Sequence, residues 1–185
     1  MSLIEIIAMI FTLVCVYFMG KQNILCWPVG MVGIVACSLI FLREELYFQA
    51  GLQALFMIQS VYGWYTWNKG KDGDELPVIT QRPDKIMSQV SGVIAISLIV
   101  VLFSGNPTST NALDAVAAGL SILAMIYLIE KKIETWIVWM GVNTILFGLM
   151  LYQGIYVMAV LEVILFIISL NAFISWKKDL KMDYV

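Results

Sequence analysis

The sequence contains no histidine, and this one absence removes histidine metal sites, histidine proton relays and serine–histidine catalysis together. Charge is also scarce. Lys and Arg number 11 and Asp and Glu 13 in 185 residues, or 13%, roughly half the ~25% typical of soluble chains. No basic stripe is present, so nucleic acid is not an expected partner. The three cysteines, Cys15, Cys26 and Cys37, lack paired spacing and read as small buried hydrophobes rather than as a disulfide or metal set. Nothing resembles an ATP-binding loop. No metal, no cofactor and no catalysed reaction are therefore expected. No basic residue precedes the first apolar run, which reads as a retained first helix and not as a cleaved signal.

What the chain has in abundance is apolar surface. Hydrophobic residues make up 61% and the mean hydropathy is +0.90, which places the chain among integral membrane proteins. Seven runs of membrane-crossing length fit the sequence. They span about 3–20, 24–42, 46–67, 86–105, 113–129, 135–152 and 155–176. Pro28 falls in the opening turn of the second, where its missing N–H costs least. The polar stretch 68–85 reads as a loop, with two prolines, two glycines and mixed charge.

Lysine and arginine set the expected orientation, because cytoplasmic flanks collect positive charge. Lys21, Lys69, Lys71, Arg82, Lys85, Lys131, Lys132, Lys177, Lys178 and Lys181 all fall on the side reached after an odd number of crossings, and Arg43 alone on the other. The N-terminus is expected outside and the C-terminus in the cytoplasm.

Two runs share one pattern. LYFQAGLQALFMIQSVYGWYTW from Leu46 returns as IYVMAVLEVILFIISLNAFISW from Ile155, and an offset of 109 places Tyr47 on Tyr156, Leu52 on Leu161, Gln53 on Glu162 and Trp67 on Trp176. Trp27 and Trp136 share that offset. The expected architecture is an all-α membrane protein of seven transmembrane helices in a three-plus-one-plus-three arrangement of parallel repeats. Its parts are a first three-helix bundle at 1–67, a cytoplasmic loop plus linker helix at 68–111, a second bundle at 112–176 and a cytoplasmic tail at 177–185. Parallel repeats of this kind occur in transporters whose substrate sites lie near the bilayer midplane, and also suit a membrane scaffold.

Polar residues inside apolar spans need partners or water and usually face the bundle interior or a hydrophilic path. Glu162 lies about 10 Å into the seventh helix with no lysine or arginine one turn away. A cationic ligand, a water-filled cavity or protonation would each relieve its cost; a protonated helix-to-helix hydrogen bond is the structural alternative. On the third helix Gln53, Ser60, Trp64 and Trp67 share one face, and Gln59 and Tyr62 lie on another. The seventh repeats this with Glu162, Ser169, Phe173 and Trp176, while Asn171 lies opposite Glu162. One face of each helix would line a path and the other pack within its triplet. Gln53, Gln59 and Asn171 suit ligand contact or interhelical hydrogen bonding equally. Asn143 is flanked by Gly141 and Gly148, which permit close approach. Trp139 lies one turn away and Trp136 two, and both could stack on a flat cationic ring. For Trp136, Trp67 and Trp176 the alternative is an interfacial aromatic belt. Asp114 either attracts cations or caps the fifth helix.

The segments ELYFQAGLQALFMIQSVYGWYTW, LDAVAAGLSILAMIYLIEKKIETWIVW and GVNTILFGLMLYQGIYVMAVLEVILFIISLNAFISW resemble the PnuC family of bacterial vitamin transporters from the second helix onward, excluding the polar loop and fourth helix. The resemblance implies a fold similar to a full-length SWEET sugar transporter. It further implies facilitated diffusion of an unphosphorylated vitamin across the bacterial inner membrane, with trapping by a cytoplasmic kinase. The family's nicotinamide riboside and thiamine substrates both carry a fixed positive charge on an aromatic ring. Carried over by position, Asn143, Glu162 and Asn171 match polar positions of the second half, and Gln53 and Trp64 match the first. Gly33 stands where riboside members carry Asn, which turns the expectation toward thiamine, with nicotinamide riboside as the alternative.

The expected function is thus a uniporter for a cationic vitamin working by alternating access. Glu162 would supply charge, Asn143, Asn171, Gln53 and Gln59 hydrogen bonds, and Tyr62, Trp64, Trp136 and Trp139 ring surface. The lipid bilayer and a small cationic vitamin are the expected partners, and homo-oligomerisation is left open. The rival readings are a substrate-binding subunit of an ATP-driven importer, a structural membrane protein and a membrane-embedded enzyme.

Overall fold

Long apolar runs interrupted by short polar turns fold as helices, because within a membrane each backbone N–H and C=O must find its partner inside the segment. The computed structural model describes residues 3–43, 47–70, 76–105 and 107–184. Seven helices and two strands lie among them: α1 (Leu3–Gly20), α2 (Cys26–Arg43), α3 (Tyr47–Lys69), β1 (Val78–Thr80), α4 (Pro83–Phe103), α5 (Ser109–Ile129), α6 (Glu134–Tyr152), α7 (Tyr156–Lys178) and β2 (Leu180–Tyr184). Six of the helices are long and apolar enough to cross a membrane; α3 is not one of them. Its glutamines, Ser60 and the tyrosines and tryptophans of its second half dilute a helix that has the length.

The chain divides into two compact units, Met1–Leu76 and Pro77–Val185. In the first, α1 packs on α2 and α2 on α3. In the second, α4 packs on α5, α5 on α6 and α6 on α7. Helix α4, anticipated as a linker, thus folds with the second unit. It starts at Pro83, three residues before the apolar run, because proline is well placed at a first helical position. Helix α5 starts at Ser109, where the Thr108 hydroxyl accepts the Asn111 N–H at 3.1 Å. Thr108 is therefore the cap, and Asp114 lies in the second turn with no capping role.

The stretch 68–85 is not all loop. β1 lies inside it and pairs in parallel with β2, Val78 opposite Leu180 and Thr80 opposite Tyr184. The opposite edge of β1 meets the α5–α6 turn, with the Ile79 N–H donating to Lys131 O at 3.1 Å and the Ile133 N–H to Ile79 O at 3.0 Å. The stretch 177–185, expected as a cytoplasmic tail, contains β2.

The same local interactions occur in each unit at an offset of 109. Helix α1 ends with Gln22 at φ 53° and α5 with Lys131 at φ 52°. At the first, Asn23 N–H reaches Phe18 O at 2.9 Å and Gln22 N–H reaches Met19 O at 3.0 Å; at the second, Lys132 N–H reaches Tyr127 O at 2.8 Å and Lys131 N–H reaches Leu128 O at 3.0 Å. Both are Schellman ends, which satisfy carbonyls left over by the helix. The link from the first to the second helix also recurs, with donor and acceptor exchanged. The Cys15 thiol donates to Cys26 O at 3.2 Å, and the Thr135 hydroxyl donates to Ala124 O at 2.8 Å.

Tryptophan makes the correspondence clearest. Trp27 of α2 meets Trp67 of α3 edge to face at 5.3 Å and 87°, and Trp136 of α6 meets Trp176 of α7 at 5.4 Å and 86°. This geometry sets the positive edge of one ring on the negative face of the other. Trp27, Trp136 and Trp176 are fully buried and Trp67 is 9% exposed. A belt tryptophan faces outward, so the belt reading of Trp67, Trp136 and Trp176 does not hold. A Cβ on Gly63 would fall within the Trp27 ring, so α3 needs glycine there to approach the indole.

Candidate functional site

Helices α6 and α7 are apolar nearly all round, so the few polar side chains mark where each is not simply packed or lipid-facing. Residues 143, 144 and 147 of α6 and 162, 163 and 166 of α7 follow the same one- and four-residue steps, which keep them on adjoining strips of a helix surface. Together Asn143, Thr144, Phe147, Glu162, Val163 and Phe166 line a cavity of about 120 Å³. Asn143 is buried at 4% exposure. Glu162 is half-buried, and its Oε2 is fully buried without a hydrogen-bond partner. An ionised carboxylate oxygen in that position is costly, a cost that protonation or a nearby cation would relieve. The cavity's volume is close to the ~150 Å³ known to hold one aromatic ring.

The structure brings together two of the residues singled out from sequence, Asn143 and Glu162. The other second-unit candidates lie elsewhere. Trp136 is committed to Trp176. Trp139 packs against the α5–α6 core that contains Ala117, Leu120, Ala124 and Val142. Asn171 is exposed, about 13 Å along α7 from Glu162 by the helical rise. In the first unit, Gln53 and Gln59 are half-buried and Tyr62 and Trp64 are exposed. Ser60 and Ser169 are buried at 2% and 1%, although Trp64, on the same face as Ser60, is exposed. Thr144, Phe147 and Phe166 were not singled out, since a threonine and two phenylalanines are ordinary in an apolar helix.

The position of Gly33 bears on substrate choice. A Cβ there would lie 3.5 Å from Phe11 Cβ and 3.6 Å from Thr12 Oγ1. The glycine faces α1, so its lack of a side chain concerns α1–α2 packing, and its support for thiamine falls away.

A second polar cluster stands where β1 meets the α5–α6 turn. The Glu134 carboxylate accepts from the Thr80 hydroxyl and, at 3.0 Å, from the Gln81 N–H. The Lys132 ammonium donates to Gln81 Oε1 at 2.6 Å, pairs with Glu130 and lies 5.3 Å from the Tyr127 ring centre. The Tyr127 hydroxyl and Gln81 amide both donate to Gln89. Sequence reading took this region only as a charged helix boundary. Among the described residues, no group of three or more His, Cys, Asp or Glu is placed to hold a metal ion.

Fold and cavity can be set beside known proteins. A family model described as "Nicotinamide mononucleotide transporter" matches residues 2–178. The chain belongs to that family. Among its relatives in the PnuC group, the nicotinamide riboside transporter PnuC of Escherichia coli is 26% identical over 204 aligned positions, covering 95% of this chain and 85% of that one. The riboflavin/roseoflavin transporter RibM of Streptomyces davaonensis is 27% identical over 135 positions, 68% of this chain and 61% of that one. A crystal structure of the vitamin B3 transporter PnuC superposes with a TM-score of 0.77 at 19% identity, covering 96% of this chain and 81% of that chain, which fixes the shared fold. The chain is therefore a multi-pass membrane protein of a vitamin-transporter family, as the resemblance implied. The relatives' names favour the nicotinamide riboside alternative over the thiamine expectation.

Proposed function

We propose that this chain carries nicotinamide riboside across the bacterial inner membrane by facilitated diffusion. The observation that supports the substrate best is the Asn143–Glu162 cavity, where a buried carboxylate oxygen lacks a partner. Nicotinamide riboside carries a permanent positive charge on a flat ring, so it brings the charge the carboxylate needs, and the cavity's volume is close to that known to hold one ring. Asn143 supplies an amide that can orient the ring's polar substituent. The RibM relative suggests a neutral flavin as second reading, but a neutral ring leaves Glu162 unpaired.

The rest of the proposal follows from the chain itself. The seven helices follow a three-plus-one-plus-three order of parallel repeats with α4 as the single helix, a reading supported by the matching helix ends and tryptophan pairs at the offset of 109. The N-terminus is outside and the C-terminus cytoplasmic, which the distribution of lysine and arginine supports. Helix α3 spans the membrane despite its polar residues. Transport is uniport by alternating access, and a cytoplasmic kinase drives net uptake by phosphorylating the product.

A titration of the purified protein with nicotinamide riboside, thiamine and riboflavin, read by tryptophan fluorescence, tests the substrate. Nicotinamide riboside is expected to bind most tightly and riboflavin most weakly. Riboflavin binding tighter than both cations would reverse the assignment.

A further inference from the structure

Parts of the second unit that are distant in sequence meet at β1. On one side Ile79 is hydrogen-bonded to Lys131 and Ile133 of the α5–α6 turn. On the other side β1 pairs with β2, which begins two residues after α7 ends. Helix α4 starts three residues beyond β1. Side chains reinforce the ladder. Glu134, the first residue of α6, accepts from the Thr80 hydroxyl and the Gln81 N–H, and Lys132 donates to Gln81 Oε1. Val78, Gln81 and Glu134 are only 2%, 4% and 5% exposed. Peeling β1 away would uncover Val78 and take both donors from the Glu134 carboxylate, leaving a buried charge without them. Local opening is rarest where burial and hydrogen bonds concentrate in this way.

The first unit shows the same turn without these side chains. Its α1–α2 turn has the matching Schellman end, but 109 residues before Lys132 stands Asn23, whose Oδ1 accepts the Leu25 N–H at 2.9 Å. The residue matching Glu134 is Leu25, which is 53% exposed. The turn therefore closes without Lys132 and Glu134, and in the second unit those two residues bind β1. We propose that β1 is a fixed strap, which stays paired with the α5–α6 turn throughout transport, so that the start of α4, the α5–α6 turn and the end of α7 move as one body. Its role in the cycle rests on the transport reading above, whereas its resistance to opening is a property of the fold alone.

Two measurements test the strap. In amide hydrogen exchange of the purified protein, Ile79 and Ile133 should exchange together and ~100-fold or more slowly than Leu25. Exchange at either amide as fast as at Leu25 would overturn the proposal, whatever the protein transports. The second measurement locks the strap. Ile79 and Lys132 are partners in a parallel bridge, and neighbouring strands lie about 5 Å apart, so Ile79→Cys with Lys132→Cys can be joined by a short thiol-specific crosslinker. Uptake of nicotinamide riboside by liposomes containing the crosslinked protein should stay within about threefold of the same variant left untreated, because rigid-body motion preserves such pairings. The parent protein, with its three natural cysteines, is treated alike as the control. A larger loss on crosslinking, with the treated parent unaffected, would mean that β1 must leave the turn during transport, and would overturn the strap. Absence of uptake by the untreated parent would instead count against the transport reading, and the exchange rates would still decide whether β1 opens.

Discussion

Replacing Glu162 with glutamine is expected to weaken nicotinamide riboside binding by about ten- to a hundredfold, the loss of a charge-assisted contact worth about 1.5–3 kcal/mol. The variant should fold. Glutamine has nearly the same volume, and the position 109 residues earlier, Gln53, carries that side chain at the matching place of α3. It also removes the cost of a buried carboxylate oxygen without a partner, so the unliganded protein should be as stable as the parent or more so. A fluorescence titration of both proteins checks the effect. Weaker cation binding with unchanged riboflavin binding identifies charge as the cause. An unchanged affinity for nicotinamide riboside would mean that Glu162 is a protonated packing residue.

The second large effect concerns stability. Trp136→Ala removes a fully buried indole and its edge-to-face partner contact with Trp176, and should destabilise the second unit by about 3–5 kcal/mol. Trp27→Ala should have a similar effect in the first unit, where the ring lies against Gly63 and Trp67. Unfolding in detergent of Trp136→Ala, Trp176→Ala and the double variant separates the ring-to-ring contribution. A coupling of about 0.5–1.5 kcal/mol is expected. Additive single effects would show that the two rings are buried independently.

These two predictions rest on features of different visibility in the sequence. The offset of 109 joins Trp27 to Trp136 and Trp67 to Trp176 in the sequence alone, because identities between distant segments survive as spacing. It did not reveal that each pair is an internal contact. Tryptophans near a run of lysines have the same composition whether they face lipid or a neighbouring helix. The faces of α3 and α7 were ambiguous for a related reason. A helix apolar all round has no dominant stripe to point inward, so the burial of Ser60 and Ser169 had to be seen.

The strands were hidden by their length and by the distance between partners. Val78–Ile79–Thr80 is a β-branched triplet, but so short a strand in a segment bounded by Pro77 and Pro83 resembles a loop, and its partner lies about a hundred residues away. Glu134 was hidden within a run of charges that marks a helix boundary equally well. Asn143 and Glu162 could be singled out because polar side chains in hydrocarbon are few and costly. Their common cavity was not legible, since Thr144, Phe147 and Phe166 carry no signal of their own. The substrate preference drawn from Gly33 failed because position alone does not tell a cavity-lining residue from a helix contact.

The most direct measurement is uptake of labelled nicotinamide riboside by liposomes containing only this protein. Saturable entry without ATP or an ion gradient is expected, ending at equal concentrations inside and out and continuing when a nicotinamide riboside kinase and ATP are enclosed. Absence of entry by the purified, folded protein, with entry restored only by an added ATPase, would contradict it.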